Sequence, residues 1–494
     1  MPKCDLKHYY NCARATGPGE TSISKQSSDP AWKFLLPIFG VWLVLYGSYA
    51  LSRPPLPDGP ATMHAEIARE MLRRDDWKTA YVNGAPAAFS SKPLDWSIAT
   101  SYKIFGVSDF SARLPIALVV LALAFTVYFL GRNLFVWNAA GLYAALIVLT
   151  WPGTFLATRD LSDAPFLYLG TAILALAFWR LVALSELSVL KAIAVSAAGI
   201  GLIYLFGRWP GISLPLSIVL ICWICRRLVA PDEKRRRLLV GWLGLAWLIS
   251  VTWIHPYQPS RGSLLWLATI APLGLIAGGW LADKEAFANQ AVARRIGRYL
   301  FVAGLFVSAV AVFFAIHGPA GFNLDKTSWV ITASSSRAPL LVAALAIVVG
   351  ASGNLIYRLQ GRARIANCFL LGIFGGIIVA IQVGQVINSP YSSSQILAEA
   401  IRPELNPGDI VAIDGKYADA SSLAFYLDHP VLTTDSAGGP KAPAFNDAWN
   451  SSVRVFVWTR SDRSYAAPGS SNVIARNGGK EILSNQPNAG GASF

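Results

Sequence analysis

Residues 114–130, LPIALVVLALAFTVYFL, contain no charged side chain and almost no polar one. A helix of this length rises about 1.5 Å per residue, which is nearly enough to cross the ~30 Å hydrocarbon core of a bilayer. Lipid offers no hydrogen-bond partner to the peptide backbone, so an apolar segment of this kind crosses as a helix. The stretch therefore predicts a transmembrane span.

Similar apolar segments recur along the 494 residues, of which 54% are hydrophobic and only 14% are charged. Soluble domains carry nearer a quarter charged residues. We predict a polytopic α-helical membrane protein with about eleven transmembrane helices. The predicted spans are residues 32–51, 114–130, 137–156, 164–184, 189–206, 209–224, 238–254, 264–281, 299–316, 339–356 and 366–387.

The basic residues indicate the direction in which the spans run. The net charge is +14, and the runs of Lys and Arg, such as KRRR at 234–237, fall in alternate loops. These loops lie on the cytoplasmic side if the N-terminal tail, residues 1–31, is cytoplasmic, which satisfies the positive-inside rule. Topology then accounts for the basic balance, so we expect membrane lipids and no nucleic acid as partners.

Two predicted outer segments are too long to be simple connections. Residues 52–113 lie within the membrane domain, which we place at 32–388, and contain two amphipathic helical patterns, 63–77 and 94–105. Helices of this type are expected in the membrane interface. Residues 389–494 alternate strand-like stretches, such as GDIVAIDG and VRVFVWT, with the helix-like DASSLAFYL. We expect a small α/β domain there, outside the membrane.

Charged groups gather on the side where the long segments lie. Arg159 and Asp163 stand in ATRDLSDAPF, before the fourth span, and Arg208 stands in a later outer turn. Asp58 and Glu66 lie in the first long segment. Ionisable side chains at membrane helix ends are costly unless they pair or function. Their convergence predicts a functional site at the outer face.

Four stretches carry a resemblance to a known family. They are AEIAREM at 65–71, VNG at 82–84, SKPLDW at 91–96 and FGVSDFSARLP at 105–115. In this order they resemble the first periplasmic loop of the bacterial aminoarabinose transferase and protein mannosyltransferase-like family of C-type (GT-C) glycosyltransferases. The stretches ATRDLSDAPF and FGRWPGISLP resemble later family motifs, and SLAFYLDHPV resembles the periplasmic domain attached to many members.

The resemblance implies a GT-C-like membrane domain in the bacterial inner membrane and a periplasmic C-terminal domain. It implies transfer of a monosaccharide from a polyprenyl-phosphate donor to a lipid, glycan or protein acceptor, as in lipid A modification or protein glycosylation. It also implies that Asp58 and Asp163 are the catalytic carboxylates, which activate or orient the acceptor. The expected substrate-binding residues are Lys92, Arg159, Arg208, Arg261 and Glu66.

Lys92 is the first candidate for the cation that stabilises the leaving phosphate. The chain departs from the family pattern nearby, because the acidic position of the loop falls on Pro60 or Ala61 and Asp58 lies slightly earlier. Ser91 stands where relatives often have a Glu that helps to hold a metal. We therefore predict no metal ligands and no certain cofactor, although a divalent metal stays open. His64 and His255 are predicted to be structural or interfacial.

Two other functions fit the same features. A transporter or flippase would bind a lipid-linked substrate at this outer face without breaking a bond, and a catalytically degenerate family member would only bind it. Transporters usually contain internal repeats with broken helices, and we find no such repeat. The long amphipathic outer segment also favours an enzyme.

Overall fold

A computed structural model describes residues 30–87, 92–135, 137–182, 194–202, 204–205, 270–287, 290–317, 337–434, 443–461 and 469–487. Most of these residues are helical. In chain order the longer helices are α1 (Trp32–Leu51), α2 (Pro60–Arg74), α3 (Lys92–Phe105), α4 (Asp109–Phe135), α5 (Asn138–Leu149), α6 (Pro152–Arg159), α7 (Ala164–Val182), α8 (Ile270–Phe287), α9 (Gln290–His317), α10 (Arg337–Leu359) and α11 (Ala363–Ile387).

Five of the described helices are long and apolar enough to cross a membrane, namely α1, α4, most of α9, α10 and α11. A sixth span is formed if α5 and α6 are taken together. The expectation of a multi-pass helical membrane protein is confirmed, and the described parts of the predicted spans are helical except at one break, in the third span. The spans predicted at 209–224 and 238–254 lie outside the described residues, so the total of about eleven stays a prediction.

The third predicted span differs from expectation, because it is broken into α5 and α6, whose axes differ by 49°. The break falls at Trp151, whose φ of −78° and ψ of 123° are extended. Pro152 follows it and disfavours the helical conformation for the residue before it. Proline is well tolerated at the first position of the new helix, where its missing N–H is not needed.

Close backbone contacts and polar bonds hold the spans together. Gly141 of α5 meets α4 so closely that an added Cβ would stand 2.3 Å from the Tyr128 carbonyl oxygen. Helix α11 is bonded to α1, since Gln382 donates to the Leu45 carbonyl at 2.6 Å. That carbonyl lies in a π-helical turn of α1, where the regular hydrogen-bond ladder is interrupted. Small residues and polar bonds of this kind are how membrane helices associate.

The first long segment folds into α2, a hairpin of β1 (Tyr81–Val82) and β2 (Ala85–Pro86), and α3. Both predicted amphipathic helices are thus present. Their position in the membrane interface stays a prediction, to which the exposed Trp96, Ile104 and Phe105 of α3 are suited. The apolar face of α2, including Ile67 and Met71, is fully buried in the same hydrophobic core as Leu94 and Ile98 of α3. The buried apolar positions of the two helices therefore pack against each other within the protein.

Residues 389–487 form the C-terminal region, in which helices flank a five-stranded sheet. The helices are α12 (Ser389–Ser392), α13 (Gln395–Ile401), α14 (Ser421–Leu427) and α15 (Pro443–Trp449). The strands are β3 (Ile410–Ile413), β4 (Val431–Thr433), β5 (Val455–Arg460), β6 (Asn472–Asn477) and β7 (Lys480–Ser484). The sheet order is β4-β3-β5-β7-β6; β3 is parallel to β4 and β5, and β7 is antiparallel to both its neighbours.

Candidate functional site

The first long segment, residues 52–113, which includes α2, packs against the C-terminal region, residues 389–487. We call the surface formed by these two parts the loop face. Arg113, near the start of α4, is fully buried there. It donates to the carbonyl oxygens of Pro54 at 2.7 Å and Pro55 at 3.2 Å. Its guanidinium also lies 5.4 Å from the centre of the Tyr49 ring. Arg113 therefore holds the chain where it leaves α1 and enters the loop face.

The charged residues predicted before the fourth span lie at the same place. Arg159 ends α6 and pairs with Asp160 at 3.5 Å. One turn before Arg159 on α6, the ring of Phe155 packs edge-on against Tyr49 of α1, with the ring centres 4.7 Å apart. Arg159 is therefore close to the residues that line the start of the first long segment. The expected convergence of charges and the substrate contact of Arg159 both stay predictions.

Asp163 is buried immediately before α7, with 5% of its surface exposed. Its carbonyl accepts the N–H of Phe166 at 3.1 Å, so its backbone belongs to the first turn of the helix. The hydroxyl oxygen of the neighbouring Ser162 accepts the N–H of Ala164 at 3.2 Å. A carboxylate in this position also interacts favourably with the helix dipole. The catalytic role predicted for Asp163 is not tested by this geometry.

Lys92 is the first residue of α3, and its side chain is exposed. One turn further along α3, Asp95 is completely buried and faces α2. His64 of α2 lies 2.6 Å from it, measured from Nδ1 to Oδ1. The sequence placed His64 among structural histidines and did not single out Asp95. The two residues are 31 positions apart, and only the packing of α2 on α3 brings them together.

Asp58 contacts the C-terminal region with both carboxylate oxygens. One oxygen accepts the N–H of Ser422 at 2.9 Å and that residue's hydroxyl, and the other accepts Lys480 Nζ at 2.8 Å and Ser394 Oγ at 3.2 Å. The side chains of Asp58 and Lys480 are 12% and 10% exposed. These contacts support a docking role for Asp58, and its predicted catalytic role stays a prediction.

Glu66 also reaches the C-terminal region. Its carboxylate accepts the N–H of Asn83 at 2.9 Å and the hydroxyl of Tyr417. Burial raises the pKa of Glu66 above its usual 4.5, although the two hydrogen bonds and the nearby Arg69 act in the opposite direction. Both carboxylate oxygens of Glu66 thus accept hydrogen bonds within the protein. The predicted contact between Glu66 and substrate stays a prediction.

We expect Glu66→Gln to flatten the pH dependence of stability. The raised pKa means that the folded protein binds the Glu66 proton more tightly than the unfolded chain does. The contribution of Glu66 to the free energy of unfolding is therefore greatest below pH 4.5, and it falls as the pH rises through the pKa of Glu66 in the folded protein. Thermal unfolding in detergent from pH 4 to 7 measures this, with the exposed Glu399→Gln as control. Parallel curves for wild type and Glu66→Gln would contradict it.

Further bonds join α2 and its hairpin to the C-terminal region. Arg69 donates to the Phe425 carbonyl at 2.7 Å and lies 3.2 Å from the Asp428 carboxylate. Asn83 forms a two-way pair with Val431: its amide oxygen accepts the Val431 N–H at 2.9 Å, and its amide nitrogen donates to the Val431 carbonyl. The C-terminal region is thus bonded to the first long segment at several positions between Asp58 and Asn83.

Tyr426 links the same region to α4, because its hydroxyl donates to Asp109 at 2.6 Å and accepts the N–H of Leu56 at 2.8 Å. Arg208 and Arg261, which were predicted to bind phosphate, lie outside the described residues. Within the described residues, no three His, Cys, Asp or Glu side chains are grouped in a way that could hold a metal ion.

The comparisons with known proteins agree with the sequence resemblance. Residues 93–257 match the model of the family described as dolichyl-phosphate-mannose-protein mannosyltransferase. A comparison with curated protein sequences gave no significant match. The fold is similar to the crystal structure of ArnT from Cupriavidus metallidurans bound to undecaprenyl phosphate. The TM-score is 0.68 at 18% identity, covering 93% of this chain and 98% of that one.

The apo structure of the same ArnT matches with a TM-score of 0.67 at 18% identity, over 92% of this chain and 97% of that one. A more distant match is the oligosaccharyltransferase of Archaeoglobus fulgidus in its apo form, with a TM-score of 0.40, 13% identity and 87% and 70% coverage. The resemblance to C-type glycosyltransferases predicted from the first long segment is confirmed by the family match and by the similarity to ArnT.

Proposed function

We propose that this chain, whose fold is that of a C-type membrane glycosyltransferase, transfers a monosaccharide from a polyprenyl-phosphate donor to a lipid, glycan or protein acceptor. The observation that carries the proposal is the likeness to ArnT over nearly the whole of both chains. That protein was crystallised with undecaprenyl phosphate, which is the leaving group that such a donor would release. The exposed cation Lys92 at the loop face supports it.

The proposal includes the orientation of the chain. The N-terminal tail, residues 1–31, would be cytoplasmic, the membrane domain would be residues 32–388, and residues 389–494 would be periplasmic in a bacterial inner membrane. The distribution of basic residues supports this orientation. The loop face, with Lys92 and Arg159, would then be open to the periplasm, where an acceptor can be reached.

The chemistry assigned to the site is simple. As the bond between C1 of the sugar and the phosphate oxygen breaks, negative charge grows on the phosphate, and a nearby cation stabilises it. We assign this role to Lys92, with Arg208 and Arg261 as further phosphate contacts. Asp163 and Arg159 would orient the acceptor or the sugar. Asp58 and Glu66 are the weaker assignments, because the C-terminal region already occupies their carboxylates.

The test is a transfer assay with purified protein in lipid vesicles, a panel of radiolabelled polyprenyl-phosphate sugars and a total membrane extract as acceptor. Movement of label into the extract supports the enzyme and identifies donor and acceptor classes. Translocation of an intact donor across the vesicle membrane, without transfer, would favour a flippase. Binding with neither transfer nor translocation would favour a degenerate member.

We expect Asp163→Asn to lower kcat about 100-fold with a nearly unchanged donor KM, because misplacing one reactant is enough for a loss of this size. The exposed Asp447→Asn, in α15, is the matched control and should retain wild-type kcat. Initial rates at saturating donor measure both. If Asp163→Asn retains the wild-type kcat, Asp163 has no role in transfer and serves only the structure at the start of α7.

A further inference from the structure

His64 and Asp95 form a pair that the assignments above do not use. Asp95 is fully buried, and 13% of the His64 side chain is exposed. Burying a carboxylate is costly unless partners compensate, and His64 is one of the partners of Asp95. The 2.6 Å separation is typical of a hydrogen bond in which at least one partner is charged.

The pair orients the imidazole ring, because Nδ1 is the nitrogen that faces the carboxylate. In a neutral ring whose Nδ1 donates to a carboxylate, the lone pair is on Nε2. A carboxylate in this position also stabilises the imidazolium that forms when Nε2 takes up a second proton. The arrangement is that of a general base held by an orienting acid, with the base on α2 and the acid on α3.

The pair lies beside the cation proposed for the donor phosphate. Lys92 precedes Asp95 by three residues, so the two are neighbours on α3, about 5–6 Å apart between Cβ atoms. On α2, the exposed Pro60 lies one turn before His64 on the same helix face. Pro60 is one of the two positions where the family resemblance places an acid. His64 therefore stands one turn from that position, and its partner Asp95 stands one turn from Lys92.

We propose that His64 is the general base of the transfer reaction and that Asp95 is its positioning residue, an inference that rests on the proposed function. His64 Nε2 takes the proton of the acceptor hydroxyl as the acceptor oxygen forms its bond to C1 of the sugar. The bond between C1 and the phosphate oxygen breaks, and its electron pair leaves with the polyprenyl phosphate beside Lys92. The imidazolium then returns the proton to solvent, which restores the base.

The experiment compares His64→Gln, Asp95→Asn and the double variant with wild type in the transfer assay, using the donor that wild type uses best. We expect His64→Gln to lower kcat about 100-fold with little change in donor KM. Asp95→Asn should lower kcat about tenfold or more, because an amide can hold the ring in the wrong tautomer. The double variant should be no slower than His64→Gln, since Asp95 acts only through His64.

Imidazole added to His64→Ala should restore part of kcat, which a packing role would not produce. The exposed His317→Gln, at the end of α9, is the control and should behave as wild type. Melting temperature and binding of undecaprenyl phosphate show that each variant is folded. If wild type is active and His64→Gln has an unchanged kcat, the proposed role of His64 is wrong. It is also wrong if the losses of kcat in the two single variants multiply in the double variant. Either result leaves the proposed function standing. An inactive wild type overturns the proposed function itself.

Discussion

Lys92→Ala is expected to reduce kcat for sugar transfer by about 100- to 1,000-fold, the usual loss when a group that stabilises developing charge is removed. Lys92 stands exposed at the first position of α3, where its ammonium can follow the phosphate of a lipid-linked donor. Charge on the phosphate is greater in the transition state than in the bound donor. The effect should therefore fall mainly on kcat, with a smaller rise in donor KM.

The matched control is Lys103→Ala, because Lys103 is exposed on the same helix at its opposite end. It should change kcat by less than about twofold, since a distant exposed charge is screened by solvent and salt. Lys92→Arg should keep part of the activity, because the charge remains while its geometry changes. Equal losses in Lys92→Ala and Lys103→Ala would mean that general surface charge, and not a phosphate contact, explains the result.

The second large effect is expected at the joint between the first long segment and the C-terminal region. Asp58→Ala should lower the free energy of unfolding by about 3 kcal/mol, because it leaves the Lys480 ammonium in a mostly buried place without its partner. The hydroxyl and N–H of Ser422 lose an acceptor in the same step. Thermal and chemical unfolding in detergent, together with limited proteolysis of the C-terminal region, measure this loss.

Lys480→Met separates docking from catalysis. If Asp58 only docks the C-terminal region, Lys480→Met and Asp58→Asn should lower stability and activity together. If Asp58 is also the catalytic carboxylate, Asp58→Asn should abolish transfer, whereas Lys480→Met, with a similar loss of stability, should retain most of kcat. Arg476→Ala is the control on the same sheet: its pair with Glu481 is 65% exposed on the arginine side, and its loss should cost less than about 1 kcal/mol.

The bonds between the first long segment and the C-terminal region also affect the proposed catalytic site. Asp58 and Glu66 bracket the start of α2, and both are bonded to the C-terminal region. His64 lies between them on the same helix. The C-terminal region therefore supports the helix that carries the proposed base. Loss of the Asp58 or Glu66 contacts is expected to affect catalysis through the position of α2.

The sequence predicted the membrane helices well, since a span depends on a local property. Residues 32–51 carry a single charge, Lys33, at their start, and residues 366–387 carry none. Both are long and apolar, and lipid accepts such a segment only as a helix. The amphipathic helices of the first long segment were equally predictable, because helical periodicity appears within a single stretch. The break at Trp151 was missed, although Pro152 was its visible signal.

The partners of individual side chains were not predictable in this way. Asp58 and Lys480 are 422 positions apart, and Glu66 and Tyr417 are 351 apart. Nothing local in either stretch encodes which charge meets which. A carboxylate beside a helix start has the same sequence pattern whether it binds substrate, caps a helix or docks another part of the chain.

The sequence by itself thus determined a multi-pass helical protein with the family resemblance that the fold comparison confirms. Hydrophobicity, periodicity and ordered motifs are properties of contiguous residues, so they survive without a structure. Only the tertiary structure decided that Asp58 and Glu66 face the C-terminal region and that His64 faces Asp95. These pairings follow from which helices pack together, and that is settled by burial over the whole chain at once.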